Sequence, residues 1–519
     1  MTFTVQQNLT DPDALRKEVL TVGKHSMVYL IGRALSHAVG FFMIPIYTRC
    51  IAPANYGAME LIEILAGAIA MIICMEVADV MSLFYFDERV QEKQNEVVST
   101  VIIGFGLIAV PIVLLFLVLS GLISRLILEE PQFRYYIQVA IVTVWFGMLC
   151  EIGYTYLRIL YKAKLFVTIT ILQLVIALSL NIYFVVFLRL DILGIFYSTL
   201  ITQGLTGLVL SGAILRSVGT TVSLPVLRKL IRFGLPLVPS RIGVMLGFMS
   251  NRFFLRWCAS SDPSVALAQV GLFSLGHKFG VMINRLYNVP FNSFWGPRRL
   301  ELSLQDNPGN RETVARICTY STMCSIYLAL MLSSGIESLI KIIADPRYMG
   351  AYMVVPFVAL GYVALGLETH FSTGILCRRK TIWSTYIGLL SLCVILLWNY
   401  IFISRYGLLG AATSNLAGFT IRIILIYIIS QRLFPIPFEL GRLTTLFVTA
   451  FALYCISQTI RFSSVYLTFF VQIGFVSLFP FVLLVIKFYR SGELEFMRKV
   501  FSKFKFFERL HATIKNSII

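Results

Sequence analysis

The sequence predicts an all-α polytopic membrane protein of about 14 transmembrane helices, and three observations lead there. The chain is 58% hydrophobic and only 13% charged, with a mean hydropathy of +0.82, whereas a soluble protein carries roughly a quarter charged residues. Its apolar residues fall in runs that reach the ~20 helical residues needed to cross a bilayer. Its basic residues alternate in density from one loop to the next, the pattern that orients membrane helices.

The expected spans lie at roughly 25–48, 57–84, 98–122, 135–157, 165–188, 192–215, 233–255, 266–291, 317–340, 350–376, 381–404, 407–430, 443–460 and 464–486. The first ~23 residues are polar, and the first apolar run contains Arg33 and no small-residue cleavage site. It is read as a retained helix, not a signal peptide. An even number of spans puts both termini on one side. The termini and even-numbered loops carry 29 Lys and Arg, and the alternate loops 10. That bias makes both termini cytoplasmic.

The order of spans suggests two lobes and an appendix. Residues 1–215 form an N-terminal lobe of six helices, 216–432 a second lobe of six, and 433–487 two further spans. Residues 488–519 mix Phe and Ile with Lys and Arg, which suits a helix lying on anionic inner lipid.

Composition also excludes several functions. The net charge is +18, but basic residues crowd cytoplasmic loops and serve the lipid surface, so nucleic acid is not an expected partner. Nine cysteines are scattered with no C-x-x-C pair, which suggests free thiols without a metal site or disulfide framework. No G-x-x-x-x-G-K-[ST] loop is present, so the usual ATP-hydrolysing site is missing. The largest expected loop, near 292–316, is cytoplasmic. The outer loops are short and carry no D-x-D or paired carboxylate, which argues against a membrane glycosyltransferase or polymerase. No catalytic residue is assigned, no enzyme activity is expected and no cofactor is called for.

Two segments resemble one another. "IGRALSHAVGFFMIPIYTRCIAPANYGAMELIEIL" (31–65) and "PSRIGVMLGFMSNRFFLRWCASSDPSVALAQVGLFSLGHKFG" (239–280) each place an arginine early in a helix, Arg33 and Arg241. Each has a second arginine 15 or 16 residues on, Arg49 and Arg256, and each then turns into a helix opening Tyr56-Gly57 or Val270-Gly271. Both first helices start on the cytoplasmic side, so the halves run parallel, one of the known transporter plans.

"IPIYTRCIAPANYGAMELI" resembles the first-loop signature of bacterial polysaccharide flippases, with a span ending in Tyr-Thr-Arg and a Pro-x-x-Tyr-Gly turn. "LRKLIRFGLPLVPSRIG" and "VGLFSLGHKFG" resemble the start of that family's second half. These are the O-antigen-type transporters of the multidrug/oligosaccharidyl-lipid/polysaccharide exporter superfamily. The resemblance implies two lobes in the bacterial cytoplasmic (inner) membrane. It also implies flipping of an undecaprenyl-pyrophosphate-linked oligosaccharide from the inner to the outer leaflet for surface polysaccharide assembly, with polymerase and assembly proteins as partners. A small-molecule or multidrug exporter of the same superfamily is the alternative; its cavity would be more apolar, with acids dominating cations. The family has no universal catalytic set, so no site residue transfers by motif.

Candidate site residues therefore come from the charges inside the spans: Arg33, Arg241, Lys278, Arg285 and Arg422. Arg241 lies 9 residues past Arg232 and Arg33 lies 9 past Lys24, about 13 Å of rise in each case. Lys278 and Arg285 are seven apart, the spacing of one helix face. Arg33, Arg241, Lys278 and Arg285 are the expected contacts for the pyrophosphate that the resemblance implies, because arginine offers a planar fork to phosphate and lysine a point charge. Two other fates stay open for Arg33 and Arg241: snorkelling to the headgroups, or pairing with an acid such as Glu76, Asp79, Glu151 or Glu368. Arg422 is closer to its span end and is expected to be paired or to snorkel. Pro236 and Pro239, with nearby glycines, should make the seventh helix bendable. Glu76, Asp79 and Glu368 are candidates for H⁺ or Na⁺ coupling, since intramembrane carboxylates can hold either. Glu60 and Glu63 are expected to be solvated near the outer end.

Overall fold

The computed structural model describes residues 43–305, 307–490 and 492–493. Arg33, most of the first expected span and nearly all of the basic tail lie outside the described residues. Within them the chain is helical, with no strand. Twelve helices are long and apolar enough to cross a membrane, and a bent pair, Leu224–Gly243 with Met245–Cys258, makes a thirteenth. Each corresponds to one expected span from the second onward, beginning with Pro53–Asp87 and ending with Val465–Val485. The protein is a multi-pass, all-α membrane protein.

Local chemistry explains where the helices start and stop. Pro53, Pro263 and Pro308 open their helices, where a missing N–H costs nothing and φ is already helical. Ahead of Pro263, the Asp262 carboxylate accepts from the Ser264 backbone N–H at 2.8 Å, meeting one of the donors a helix start leaves over. Gly219, at φ +88°, ends the sixth span (Ile192–Val218), a backbone state glycine adopts without steric cost.

The structure corrects four readings. The stretch at 292–316 is not a loop: one helix runs to Leu304 and the next begins at Pro308. Arg252 and Arg256, two of the ten basic residues counted on the alternate loops, are buried members of the helix Val238–Cys258, at 3% and 1% exposure. Arg299 is likewise buried inside a helix and donates to the Thr369 carbonyl. Glu60 is buried rather than solvated, because its face of the second span packs inward.

The chain divides into two compact units. The first contains the described residues up to Leu275 together with Ile343–Ala351 and Val394–Ser414. It contains a glycine-to-glycine crossing between the helices Pro53–Cys74 and Pro263–Gly280. A Cβ on Gly57 would sit 1.9 Å from the Leu267 carbonyl oxygen, and one on Gly271 would sit 2.1 Å from that of Pro53. No residue larger than glycine fits either position at this approach. Around the crossing, Tyr348 donates its hydroxyl to the Ile51 carbonyl at 3.0 Å and meets Tyr56 edge-on. Asn55 bonds Asp191, and Arg256 binds the Leu128 carbonyl and the Glu129 carboxylate.

The second unit holds Gly276–Ile342, Tyr352–Cys393 and the described residues from Asn415. Trp295, Val314, Phe434 and Ile436 form an apolar cluster near one end of its helices. Next to it, Arg442 pairs with Glu439 at 2.8 Å and Glu493 at 3.0 Å, and Arg490 reaches Glu439 at 2.6 Å.

Candidate functional site

The second span does not cross as one helix. It breaks after Cys74, where Met75 and Glu76 take left-handed φ values of +42° and +57°. For side-chain-bearing residues that conformation costs roughly 1–2 kcal/mol each, and it persists only where the surroundings hold it. The seventh span supplies the hold. At Gly234 it comes so near that a Cβ would lie 2.4 Å from the Met75 carbonyl oxygen. The helix that restarts at Val77 carries Asp79 in its first turn, where the helix dipole favours an anion.

Arg241 sits opposite this break. The seventh span begins as the helix Leu224–Gly234, tightens through a 3₁₀ turn at Leu235–Leu237 that holds Pro236, and continues as Val238–Cys258. A 42° bend separates Leu224–Gly243 from Met245–Cys258, in the region where prolines remove backbone donors. This geometry brings the Arg241 Nε to 3.2 Å from Glu76 Oε1, and a terminal nitrogen to 4.0 Å from Asp79 Oδ2. Arg241 nonetheless keeps 57% of its side chain exposed, against 23% for Glu76. One cation facing two carboxylates leaves the trio with one net negative charge when both acids are ionised.

The other candidates are distributed as follows. Lys278 is half-buried and Arg285 exposed. The eighth span is interrupted between them: its first helix ends at Gly280, and a π turn follows at Asn284–Asn288. Their seven-residue spacing therefore does not describe a single uninterrupted helix face. Glu368 pairs with Arg422 at 2.9 Å, and one oxygen of Glu368 and the Nε of Arg422 have no hydrogen-bond partner. The structure thus brings Arg241, Glu76 and Asp79 together in the first unit and Glu368 with Arg422 in the second.

Sequence reasoning missed the break at Met75 and Glu76, since neither residue is a glycine or proline. The only available signal was Glu76 itself, a charge deep in an apolar run. It also missed that Gly57 and Gly271, matched positions in the two similar segments, touch one another.

Residues 22–300 match the protein family described as "Polysaccharide biosynthesis protein". Among solved structures, the fold is similar to one titled "Lipid II flippase MurJ, inward closed conformation", at TM-score 0.67 and 13% identity over 89% of this chain and 98% of that one. It is also similar to an inward-facing multidrug resistance MATE family transporter of the MOP superfamily, at TM-score 0.59 and 14% identity over 76% and 94% of the two chains. No curated protein matches the sequence. At these identities the likeness concerns the fold.

Proposed function

The chain belongs to the polysaccharide biosynthesis protein family, and on that premise we propose that it flips an undecaprenyl-pyrophosphate-linked oligosaccharide from the inner to the outer leaflet of a bacterial cytoplasmic membrane. Both termini then lie in the cytoplasm, and the chain works as a transporter, not an enzyme, alongside polymerase and assembly proteins. The observation that carries the reading is Arg241: an arginine within an apolar span, more than half exposed although two carboxylates stand beside it. Family membership and a fold similar to that of a Lipid II flippase add support.

The net negative charge of the trio suggests how transport is coupled. With Glu76 and Asp79 ionised, Arg241 is occupied and a pyrophosphate is repelled. Uptake of H⁺ or Na⁺ by the carboxylates releases the guanidinium, which then presents its planar fork to phosphate oxygens. Lys278, Arg285 and Arg33 are the other cations proposed to contact the pyrophosphate, and Glu368, which Arg422 neutralises at rest, is a further candidate for H⁺ or Na⁺ coupling. The Gly57–Gly271 crossing lies at the helix ends that the loop charges assign to the outside, so its contacts form the barrier that parts on release.

The test is reconstitution of the purified chain in vesicles with a labelled lipid-linked oligosaccharide, scoring arrival in the outer leaflet. Flipping by the native chain and its loss in Arg241→Ala are expected. Export of small cationic drugs without lipid flipping would replace this reading with the exporter alternative.

A further inference from the structure

A polar cavity lies in the second unit, and neither Glu368 nor Arg422 lines it. It has about 90 Å³ of open space and is lined by Glu337, Ser338, Lys341, Arg461, Thr468 and Gln472, with Phe462 and Val465 at its edge. It is built by the end of Pro308–Ile343, the connection at Arg461 and Phe462 that follows Leu440–Thr459, and the first turns of Val465–Val476. Loop charges assign these ends to the outer face, at the depth of lipid headgroups.

The groups in it are arranged for a ligand that is both anionic and hydroxylated. Glu337 holds two cations, Lys341 at 2.6 Å through one oxygen and Arg461 at 3.8 Å through the other. Two cations against one carboxylate leave a single positive charge. Gln472 is only 4% exposed. Its amide nitrogen donates to the Ser457 and Ile460 carbonyls at 3.1 and 3.2 Å, which fixes the amide orientation. Its oxygen has no partner, although buried acceptors are almost always satisfied. A ligand hydroxyl would satisfy it once the side chains that cover the oxygen give way. On the same stretch Tyr466, Leu467 and Phe470 are exposed apolar side chains, a surface suited to acyl chains.

We propose that this cavity binds the phosphoglycerol headgroup of an anionic membrane phospholipid in the outer leaflet, its phosphate on Lys341 and Arg461 and a glycerol hydroxyl on the Gln472 oxygen. The 90 Å³ of space equals the share of about three waters at ~30 Å³ each, room for the hydroxyl end of the glycerol, while the phosphate stays at the mouth on the exposed Lys341 and Arg461 and the tails remain outside. The site rests on the membrane reading and orientation of the chain, not on the flipping activity.

The experiment is native mass spectrometry of the purified full chain titrated with phosphatidylglycerol, phosphatidic acid, phosphatidylcholine and free glycerol phosphate. No transport substrate is present, so failure of the flippase reading leaves the result interpretable. Phosphatidylglycerol should bind at least about tenfold tighter than phosphatidylcholine, the lower scale of a charge-assisted contact. Arg461→Gln and Lys341→Gln should each erase about that factor, and Glu337→Gln should tighten binding by removing the opposing charge. Gln472→Met should weaken phosphatidylglycerol and leave phosphatidic acid, which lacks the glycerol hydroxyls, unchanged. Equal binding of phosphatidylglycerol and phosphatidylcholine overturns the proposal, as does a preference that survives Arg461→Gln, a substitution at an exposed side chain that cannot hide behind misfolding. Binding of free glycerol phosphate without any lipid preference overturns the lipid assignment.

Discussion

Gly57→Ala adds one carbon at the tightest point of the first unit. That carbon would lie 1.9 Å from the Leu267 carbonyl oxygen and 2.8 Å from the Gly271 backbone nitrogen. Ordinary van der Waals contact begins near 3.4 Å, so the two helices must part by about 1.5 Å at the crossing. The obstructing atoms are backbone, so no rotamer change relieves the clash. Overpacking of this kind costs about 1–3 kcal/mol, and a gap of that size also forfeits much of the dispersion energy of the neighbouring contacts. Gly271→Ala meets the Pro53 carbonyl oxygen at 2.1 Å and should cost a similar amount. The double variant should cost less than the sum, because helices already separated by one methyl accommodate the second. Gly243→Ala is the control: nothing lies within 4 Å of its added carbon, and helix propensity favours alanine by up to about 1 kcal/mol. Thermal melting of the purified variants, read beside the vesicle flipping assay, should show a lowered Tm and slower flipping for Gly57→Ala and Gly271→Ala but not for Gly243→Ala. Native melting and native flipping in both crossing variants would refute the reasoning, since no packing this close tolerates either methyl.

The other predictions concern charge. Arg241→Ala should abolish flipping and Arg241→Lys should impair it, because a point charge does not replace the fork; Lys278→Arg should stay active while Lys278→Ala loses activity, each lost charged contact being worth about 1.5–3 kcal/mol in binding. Glu76→Gln and Asp79→Asn should change the pH or Na⁺ dependence of flipping at unaltered protein levels, and native dependence in both would remove these carboxylates from coupling. Glu368→Gln leaves the part-buried Arg422 without its counter-ion, a loss smaller than the roughly 3–5 kcal/mol of a fully buried pair, and Arg422→Gln on top should recover much of it in a melting assay. A reporter fused after Ile519 should be active only in the cytoplasm, and tags in the 124–134 and 342–349 loops should be reached only from outside.

Whatever depends on averages over ~20 residues was legible in the sequence. Apolar run length placed each described span from the second onward, because the hydrocarbon thickness constrains it directly. What depends on one residue's environment was not. Arg256 reads as an end-of-helix anchor, yet the structure buries it on the Leu128 carbonyl and Glu129, partners far away in sequence. The stretch around Arg298 and Glu301 reads as loop because its charges dilute the apolar signal, yet it is helical, with a three-residue-spaced ion pair that adds about 0.2–0.5 kcal/mol.

The same distinction decides how the intramembrane charges should be read. In an apolar run a charge announces a cost, but the sequence does not say whether a neighbour or a ligand offsets it. The surroundings of the two arginines differ. Arg422 lies beside Glu368 with both side chains largely covered, as expected of a resting pair. Arg241 has acidic neighbours too, yet most of its side chain remains accessible and one of its partners, Asp79, is 72% exposed. Its nearer partner, Glu76, stands on a strained break that Gly234 lets the seventh span approach. A carboxylate serving only to neutralise an arginine needs no break in its helix. A carboxylate that must let go of the arginine and take it back gains from one, since a few degrees of backbone motion at Met75 and Glu76 move its charge without unpacking the rest of the span.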